Sequence, residues 1–419
     1  MRSEPARVLI VAGEASGDLY GGLLMQAMGR RAGEAPAPTR PADRASRDIH
    51  FLGVGGPAMR AAGLKSLGDA ELVGVTGLIE VLGSLGAIWR AYRAAGAVLA
   101  DRRSRPDLAI LIDYPDFNLR LARLARRAGV PVLYFVSPQV WAWRRGRVNR
   151  LAGRVDRMLV ILPFEEGIYR GVSVPVEFVG HPLLDLVRPT LTRQQALAPL
   201  GLDWRRPTVA LVPGSRKNEL SAHLPAMIGA AAILREEFRD LQFLLPVAPT
   251  LTRALVAEAA RRAAPASAGG QNPRARGSDA GPVLVEGDRY EALAASDGAV
   301  VASGTATLET ALLGVPMVIV YRMHPLTYAL ARSVSEVPHI GMPNLIADER
   351  VVPELVQGEC TAVRIAQEIR RILTDPGVAE TMRRGLATVR ARLGPPGAIE
   401  RVTRAAWGMI EAHRGDRAA

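Results

Sequence analysis

The stretch RVLIVAGEASGD, residues 7–18, decides the fold class of this chain. A short apolar run ends at Gly13, and small and polar residues follow where a helix can begin. Strand, glycine turn and helix in this order are typical of a parallel βαβ unit, whose ligands bind at the carboxyl end of the strand. The turn lacks the G-x-G-x-x-G spacing of a dinucleotide fingerprint. It offers Glu14 and Ser16 as candidate site residues, or it is a plain turn in which Ser16 or Asp18 caps the helix.

The same alternation of apolar runs and helical stretches continues along most of the chain. Helices are predicted where apolar residues recur at helical spacing, as at 119–127, 222–238 and 307–313. Two series of alternating strands and helices predict an α/β fold with two doubly wound, Rossmann-like domains facing a cleft. The predicted strands are residues 7–12, 49–54, 108–113, 132–136, 157–162 and 176–179, then 208–212, 242–247, 283–286, 298–302 and 316–321.

Prolines mark the predicted seam between the two series. We predict an N-terminal domain at 1–185, a C-terminal domain at 186–385 and a helical tail at 386–419. Residues 33–47 and 263–281 are of low complexity and are predicted to be surface insertions. The prolines at the seam are Pro182, Pro189, Pro199 and Pro207.

Composition and charge limit the classes of partner. The 419 residues are 48% hydrophobic and 22% charged, which excludes a globally disordered chain. The single cysteine, Cys360, excludes an internal disulfide framework and a cysteine-based zinc cluster. The net charge of +12, from 53 basic and 41 acidic residues, suits phosphates or an anionic membrane. The 5% aromatic content argues against a nucleic-acid surface.

Residues 72–100 form an apolar, glycine-rich segment that Glu80 and two arginines interrupt. These charges make it a poor spanning helix, and more arginines follow it. An apolar surface flanked by arginines suits an interfacial membrane contact. The alternative is a buried helix pair packed on the first sheet. The candidate membrane-contact residues are Leu78, Ile79, Val81, Leu82, Leu85, Ile88, Trp89, Arg90 and Arg93.

Two carboxylates, Asp113 and Asp116, follow the very apolar strand of the first series. Because ligands bind at the carboxyl ends of such strands, either could remove a proton from a sugar hydroxyl. Helix capping by Asp116 and metal binding are the alternatives, although no third metal ligand is evident. Further along, Trp141, Trp143 and Arg144 could hold an anionic, partly apolar ligand, or could belong to a basic surface helix with its tryptophans turned inward.

Two motifs of the second series predict a nucleotide site. Gly214, Ser215 and Arg216 end its first strand, where backbone amides and an arginine suit a diphosphate. Ser303, Gly304 and Thr305 begin a later helix, whose dipole favours phosphate. Glu309 lies one turn further, where its carboxylate could accept hydrogen bonds from ribose hydroxyls. Capping by Ser303 and Thr305, with Glu309 as a dipole partner, is the alternative.

The chain resembles the lipid-A-disaccharide synthase family through many separate motifs in the family's order. The resemblance runs from about residue 8 to past Cys360 and is interrupted by the two insertions. A single glycine-rich loop could not identify a family with this specificity. The motifs are VAGEASGD, GVGG, GVTGLIEVLG, DYPDFN, VSPQVWAWR, LPFE, FVGHP, LVPGSR, ASGTATLE, VIVYRM and MPNLIADE.

The resemblance implies a glycosyltransferase type B fold and an inverting, metal-independent transferase without a cofactor. UDP-2,3-diacylglucosamine and 2,3-diacylglucosamine 1-phosphate would give a β-1,6-linked lipid A disaccharide 1-phosphate and UDP. The enzyme would be cytoplasmic and peripheral, on the inner face of the inner membrane and its anionic lipids. Whether the enzyme forms a homodimer is left open. A UDP-sugar 2-epimerase, which shares the fold, is one alternative, but its soluble substrate needs no apolar segment like residues 72–100. A closer alternative is a lipid-acceptor transferase of cell-wall synthesis, which the series of motifs disfavours.

The resemblance also implies roles for individual residues. Asp116 is the expected base for the acceptor 6-hydroxyl, with Asp113 and Glu14 as alternatives. Membrane contact is then preferred for residues 72–100. His324 stands where a lysine would be expected, which weakens a phosphate contact there. The residues expected to contact the acceptor or its acyl chains are Ser16, Trp141, Trp143 and Arg144. The residues expected to contact UDP are Gly214, Ser215, Arg216, Ser303, Gly304, Thr305, Glu309 and Asn344.

Overall fold

Two all-parallel sheets form the framework of the chain in the computed structural model. The structure describes residues 5–34, 49–67, 78–138, 148, 151, 153–264, 281–325, 327–329 and 337–418, with side chains except at 32–34, 78–85 and 418. The chain divides into two units, Met1–Pro182 with Gly394–Ala419, and Leu183–Leu393.

The sheet of the first unit has the spatial order β3-β2-β1-β4-β5-β6-β7. Strand β4 is apolar and fully buried, and so is β1 apart from the partly exposed Arg7, as expected of a parallel sheet covered on both faces. Because β1 lies between β2 and β4, the order of the strands reverses there, and this switch point is where such sheets bind ligands. The strands are β1 (Ala6–Ala12), β2 (Ile49–Val54), β3 (Lys65–Ser66), β4 (Leu108–Ile112), β5 (Val132–Phe135), β6 (Arg157–Val160) and β7 (Val176–Phe178).

The sheet of the second unit repeats this arrangement as β10-β9-β8-β11-β12-β13. Its switch point lies between β8 and β11, which pair in parallel with Val301 opposite Val212. The strands are β8 (Thr208–Val212), β9 (Gln242–Pro246), β10 (Val283–Val285), β11 (Gly298–Ala302), β12 (Met317–Tyr321) and β13 (Glu354–Val356).

Helices cover these sheets and connect their strands. Those of the first unit are α1 (Ala15–Glu34), α2 (Pro57–Ala61), α3 (Leu78–Ala100), α4 (Pro115–Arg127) and α5 (Glu165–Ile168). The second unit follows with α6 (Leu183–Leu186), α7 (Arg193–Leu197), α8 (Lys217–Glu237), α9 (Arg253–Ala263), α10 (Arg289–Ala294), α11 (Thr305–Leu312), α12 (Met342–Ala347), α13 (Ala362–Thr374) and α14 (Pro376–Arg392). The last helix is α15 (Ala398–Ala418), and 3₁₀ turns span Ala198–Leu200 and Gln357–Glu359.

The structure confirms the α/β class and every predicted strand to within two residues at each end. The short strands β3 and β13 are additional, since two or three residues carry too little pattern to detect. The three helices predicted by spacing begin earlier than expected, because their first turns are polar or contain proline. Within the part of the chain that the structure describes, no helix is long and apolar enough to cross a bilayer.

The predicted separate tail at 386–419 is wrong. Helix α14 continues to Arg392 within the second unit, and the chain from Gly394 onward belongs to the first. Helix α15 is fastened to the first sheet by Arg414, which donates to Asp107 Oδ2 at 2.8 Å and to the Pro5 carbonyl at 2.8 Å. The Arg7 amide donates to the same Asp107 oxygen at 2.9 Å. The seam itself lies after Pro182, three residues before the predicted boundary at 185.

Candidate active site

The two acidic turns of the first unit lie side by side at its switch point. Ala12 of β1 pairs with Ile112 of β4, so Gly13 and Asp113 leave the sheet together. A Cβ atom on Gly13 would lie 2.2 Å from Cγ of Tyr114. Only glycine permits this approach, and the GEASGD and DYPDFN motifs therefore form one surface.

The backbone of the second turn is held in an unusual conformation. Asp113 and Tyr114 have φ values of 46° and 50°, in the left-handed region that non-glycine residues rarely adopt. The buried Asn118 side chain donates to the carbonyls of Ile112 and Asp113 at 3.2 and 2.7 Å. The Tyr134 hydroxyl also donates to the Asp113 carbonyl, at 2.5 Å. Backbone strain that is fixed by surrounding contacts in this way is typical of functional sites.

The two carboxylates of this turn differ in environment. Burial, and then the negative charge of Glu14, raises the pKa of Asp113 to about 7. Asp116 lies in the first turn of α4 and is exposed. The turn therefore combines a carboxyl group with a raised pKa and a second carboxyl group that is exposed.

The GEASGD motif contains a contact that its sequence did not indicate. The Asp18 carboxylate accepts hydrogen bonds from the amides of Gly56, Ala58 and Met59 at 2.7, 2.9 and 3.1 Å. Asp18 therefore caps α2, which follows the GVGG turn, and not the helix on which it lies. Ser16 lies partly exposed in the first turn of α1.

Helix α3 presents two different faces where its side chains are described. Ala91, Ala95 and Leu99 are buried in the core of the first unit. On the other side, Trp89 is 59% exposed, and Arg90 and Arg93 are exposed as well. The buried face agrees with packing of α3 on the first sheet, and membrane contact by the exposed face stays a prediction. Ile88 is partly buried against the core, and the side chains of Leu78, Ile79, Val81, Leu82 and Leu85 lie outside the described residues, as do Trp141, Trp143 and Arg144.

A row of aromatic rings connects the exposed face of α3 with the acidic turn of the DYPDFN motif. Trp89 stacks on Tyr92 with ring centroids 6.0 Å apart. Tyr92 meets Phe117 edge-on at 5.8 Å, and Phe117 stacks on Tyr114 at 5.4 Å. The acidic turn is therefore packed, through Phe117 and Tyr92, on the helix that carries the exposed tryptophan.

The two candidate phosphate turns lie side by side in the second unit. They leave β8 and β11, which flank the switch point. Gly214 has a φ of 121°, and a Cβ atom there would lie 2.4 Å from Glu219 Oε2. Glu219 was missed by the sequence analysis. It accepts from the Ser215 amide at 2.8 Å and from the Arg216 guanidinium at 3.2 Å, so the predicted Ser215 amide is already used within the turn.

Helix α11 begins with no side-chain hydrogen bond at its N-cap, Gly304. The Ser303 hydroxyl donates to the Ile340 carbonyl at 3.0 Å, so the alternative in which Ser303 caps the helix is wrong. Thr305 is exposed at the first helical position. The positive end of the helix dipole is thus left for a ligand rather than for Ser303.

Glu309 is held by two residues that the sequence analysis did not identify. It is nearly buried, and its Oε1 accepts from the Arg289 guanidinium at 2.9 Å and from the Tyr290 hydroxyl at 2.8 Å. Within the described part of the chain, no residue donates to Oε2. Burial, and then the charge of Glu309, raises the pKa of Tyr290 to about 12, so this hydroxyl remains a donor. One carboxylate oxygen is therefore fixed and the other is left for a ligand.

The prediction that Asn344 contacts the nucleotide is wrong. Its side chain is fully buried and donates to the Val352 carbonyl and Glu354 Oε1 at 2.9 and 2.8 Å. Its Oδ1 accepts from the amides of Val351 and Val352 at 2.9 and 3.0 Å. These four bonds use the hydrogen-bonding capacity of the amide. Asn344 joins α12 to the loop before β13.

Metal-ligating side chains do not cluster in the described ranges. Across them, no group of three or more histidine, cysteine, aspartate or glutamate residues is arranged to hold an ion.

Comparison with known proteins identifies relatives along nearly the whole chain. A family model described as lipid-A-disaccharide synthetase matches residues 8–391. A lipid-A-disaccharide synthase from Geobacter sulfurreducens is 48% identical over 398 residues, which cover 94% of this chain and 95% of that protein. A second one, from Geobacter metallireducens, is 46% identical over 94% of this chain and 95% of its own length.

Solved structures with the same fold are far more distant in sequence. The crystal structure of a putative UDP-N-acetylglucosamine 2-epimerase from Listeria monocytogenes has a TM-score of 0.59 at 12% identity, covering 97% of each chain. The calicheamicin glycosyltransferase CalG4 has a TM-score of 0.53 at 15% identity, covering 99% of each chain. At such identities the likeness establishes the fold alone, and this fold is the glycosyltransferase type B arrangement.

Proposed function

Because the chain belongs to the lipid-A-disaccharide synthase family, we propose that it performs the family's transfer as an inverting, metal-independent enzyme. It joins UDP-2,3-diacylglucosamine to the 6-hydroxyl of 2,3-diacylglucosamine 1-phosphate. The products are the β-1,6-linked disaccharide 1-phosphate and UDP. The observation that carries this proposal is the position of the motifs, which place carboxylates at one switch point and phosphate-type turns at the other.

Asp116 is the proposed general base. It removes the proton of the acceptor 6-hydroxyl as the oxygen attacks C1 of the donor sugar, and the bond between C1 and the UDP oxygen breaks on the opposite face. A base must first reach the proton, and Asp116 is the more exposed carboxylate of its turn. Asp113, whose pKa is raised to about 7, is the alternative general base. Its ionisation also changes the net charge of the turn.

The second unit stabilises the departing UDP. Negative charge develops on the diphosphate, and Arg216 together with the positive end of the α11 dipole offers positive charge there. Glu309 Oε2 accepts from a ribose hydroxyl. These groups supply the electrostatic stabilisation for which other transferases use a metal ion, so no cofactor is required.

The acylated substrates place the enzyme at a membrane. We propose peripheral attachment to the cytoplasmic face of the inner membrane through the Trp89 face of α3. An exposed tryptophan beside exposed arginines combines apolar insertion with attraction to anionic headgroups.

Reversal of the charges on this face tests the attachment. The double variant Arg90→Glu and Arg93→Glu is expected to bind vesicles containing anionic phospholipid at least tenfold more weakly, since each basic residue contributes about 1 kcal/mol near such a surface. Co-sedimentation at low salt measures the binding. The double variant Arg239→Glu and Arg350→Glu, at two exposed arginines of the second unit, changes the net charge equally and is the matched control. Equal loss in both variants would show that only net charge matters and would refute this face as the contact.

The reaction is tested with the purified protein in detergent micelles. Both lipid substrates are supplied together with EDTA, and the disaccharide is followed by mass spectrometry. Formation of disaccharide only when both substrates are present is the expected result, and its persistence in EDTA is expected of a metal-independent transfer. Epimerisation of a UDP-sugar without an acceptor would instead favour the epimerase alternative.

A further inference from the structure

A buried histidine connects two turns next to the nucleotide motifs. His223 lies on α8 and is 1% exposed. Its Nδ1 is 2.9 Å from the Pro213 carbonyl oxygen, in the turn that follows β8. The Arg322 amide, which follows β12, donates to its Nε2 at 3.0 Å. Its neighbours along the chain gave no signal for this role, since the two partners lie 10 and 99 residues away.

The partners determine the protonation of this ring. A carbonyl oxygen can only accept, so Nδ1 must carry the hydrogen. An amide N–H can only donate, so Nε2 must present its lone pair. The bridge therefore exists only with the neutral Nδ1–H tautomer, and protonation would set two donors, Nε2–H and the Arg322 amide, against each other.

The two hydrogen bonds of His223 span the candidate phosphate turn that follows β11. Strand β11 lies between β8 and β12, and Ser303 to Thr305 follow β11. His223 thus joins the two turns on either side of that one. The Arg322 turn is also anchored independently, because Gln357 accepts from the Met323 amide at 2.9 Å and the Arg322 guanidinium donates to the Cys360 carbonyl at 2.6 Å. The Pro213 turn has its own contacts with Glu219 and Thr250, and His223 links it to the anchored Arg322 turn.

We propose that neutral His223 is a positioning residue for the diphosphate of the donor, because it fixes the Pro213–Arg216 turn relative to the turns after β11 and β12. This inference rests on the proposed function, since it assumes that UDP binds at these turns. His223 does not itself touch the nucleotide. It sets the position from which Arg216 and the turn amides act.

The proposal has a pH dependence with a definite sign. Burial lowers the pKa of His223 below its usual 6.5; the charged and titratable groups that act on the ring are Glu219, Arg322 and, by contact, Tyr321. Because the folded-state pKa is lowered, the neutral bridge is fully present above the ordinary pKa of histidine. It is lost as the pH falls through the lowered value, and UDP affinity should fall with it.

Two substitutions separate the two bonds of the bridge. In His223→Asn the amide NH₂ lies near the Nδ1 position and can still donate to the Pro213 carbonyl. In His223→Gln the longer side chain places an acceptor near the Nε2 position, within reach of the Arg322 amide. Neither side chain titrates. His223→Phe removes both bonds, and His50→Gln, at an exposed histidine of the first unit, is the control.

The measurement is UDP binding to the full-length variants by calorimetry between pH 5 and pH 8, after circular dichroism has shown that they are folded. At pH 8, His223→Phe is expected to bind UDP roughly tenfold more weakly than wild type, with His223→Asn and His223→Gln in between. The ratio between each variant and wild type is expected to approach one only where the pH falls below the lowered pKa of His223, because only wild type loses its bridge there. UDP titrates in both samples, so its own protonation cancels in the ratio.

The opposite results are equally clear. If all the folded His223 variants bind UDP within twofold of wild type at every pH, the inference is overturned and the proposed function stands. If wild type fails to bind UDP at all, the proposed function and this inference fail together. Should His223→Phe not fold, the Asn and Gln pair decides alone.

Discussion

Replacing Asp116 with asparagine is expected to lower turnover by roughly 10²- to 10⁴-fold, the usual contribution of a general base. The change removes the proton acceptor and keeps the size of the side chain. UDP binding should remain within twofold of wild type, because Asp116 belongs to the first unit and the proposed UDP contacts to the second. Steady-state turnover in micelles, with UDP affinity measured in parallel, checks both halves of the prediction.

The matched comparison is Asp113→Asn in the same turn. If Asp116 is the base, Asp113→Asn keeps the greater part of its turnover at pH 8. Its pH profile should then lose a component near pH 7, where the Asp113 carboxyl titrates. If Asp113 is the base, turnover rises with pH through about 7 in wild type and Asp113→Asn is the inactive variant. Near wild-type turnover of Asp116→Asn would exclude the assignment made here.

Glu309→Gln is expected to weaken UDP binding by about 10- to 100-fold, because a hydrogen bond to a charged group contributes about 1.5–3 kcal/mol. The substitution preserves the shape of the side chain but removes the charge that pairs with Arg289. Calorimetry with UDP and with 2′,3′-dideoxy-UDP tests the ribose contact directly. Loss of the ribose hydroxyls should weaken binding to wild type and have little further effect on the variant, as expected for partners in a double-mutant cycle.

Glu349→Gln, at an exposed glutamate of the same unit, is the control for the general loss of a negative charge. It should bind UDP like wild type. If Glu309→Gln and wild type respond equally to removal of the ribose hydroxyls, Glu309 does not bind ribose, and its contacts with Arg289 and Tyr290 would account for its position.

Much of the candidate site could be predicted, because the parallel-sheet fold determines where ligand-binding turns lie. The apolar runs of β1, β4, β8 and β11 are local signals, and parallel strands present their carboxyl ends at one edge. Four of the stretches that the sequence analysis selected leave the strands at the two switch points, whereas the stretch with Trp141, Trp143 and Arg144 lies outside the described residues. Gly13 and Gly214 were recognisable as turn residues, although what they approach was not.

The local sequence thus determined the strands, the two sheets, the turns that are proposed to carry the chemistry and, through their motifs, the family. Only the tertiary structure decided which polar atoms of the turns are free. It engaged the Ser215 amide with Glu219, enclosed Asn344 in hydrogen bonds, and left Glu309 one open oxygen. The tertiary structure also assigned α15 to the first unit and brought His223 into a hydrogen bond with the Arg322 amide. The physical reason is range: hydrophobic periodicity acts over a few neighbouring residues, whereas the partner of a hydrogen bond is selected by three-dimensional proximity after the sheets have formed.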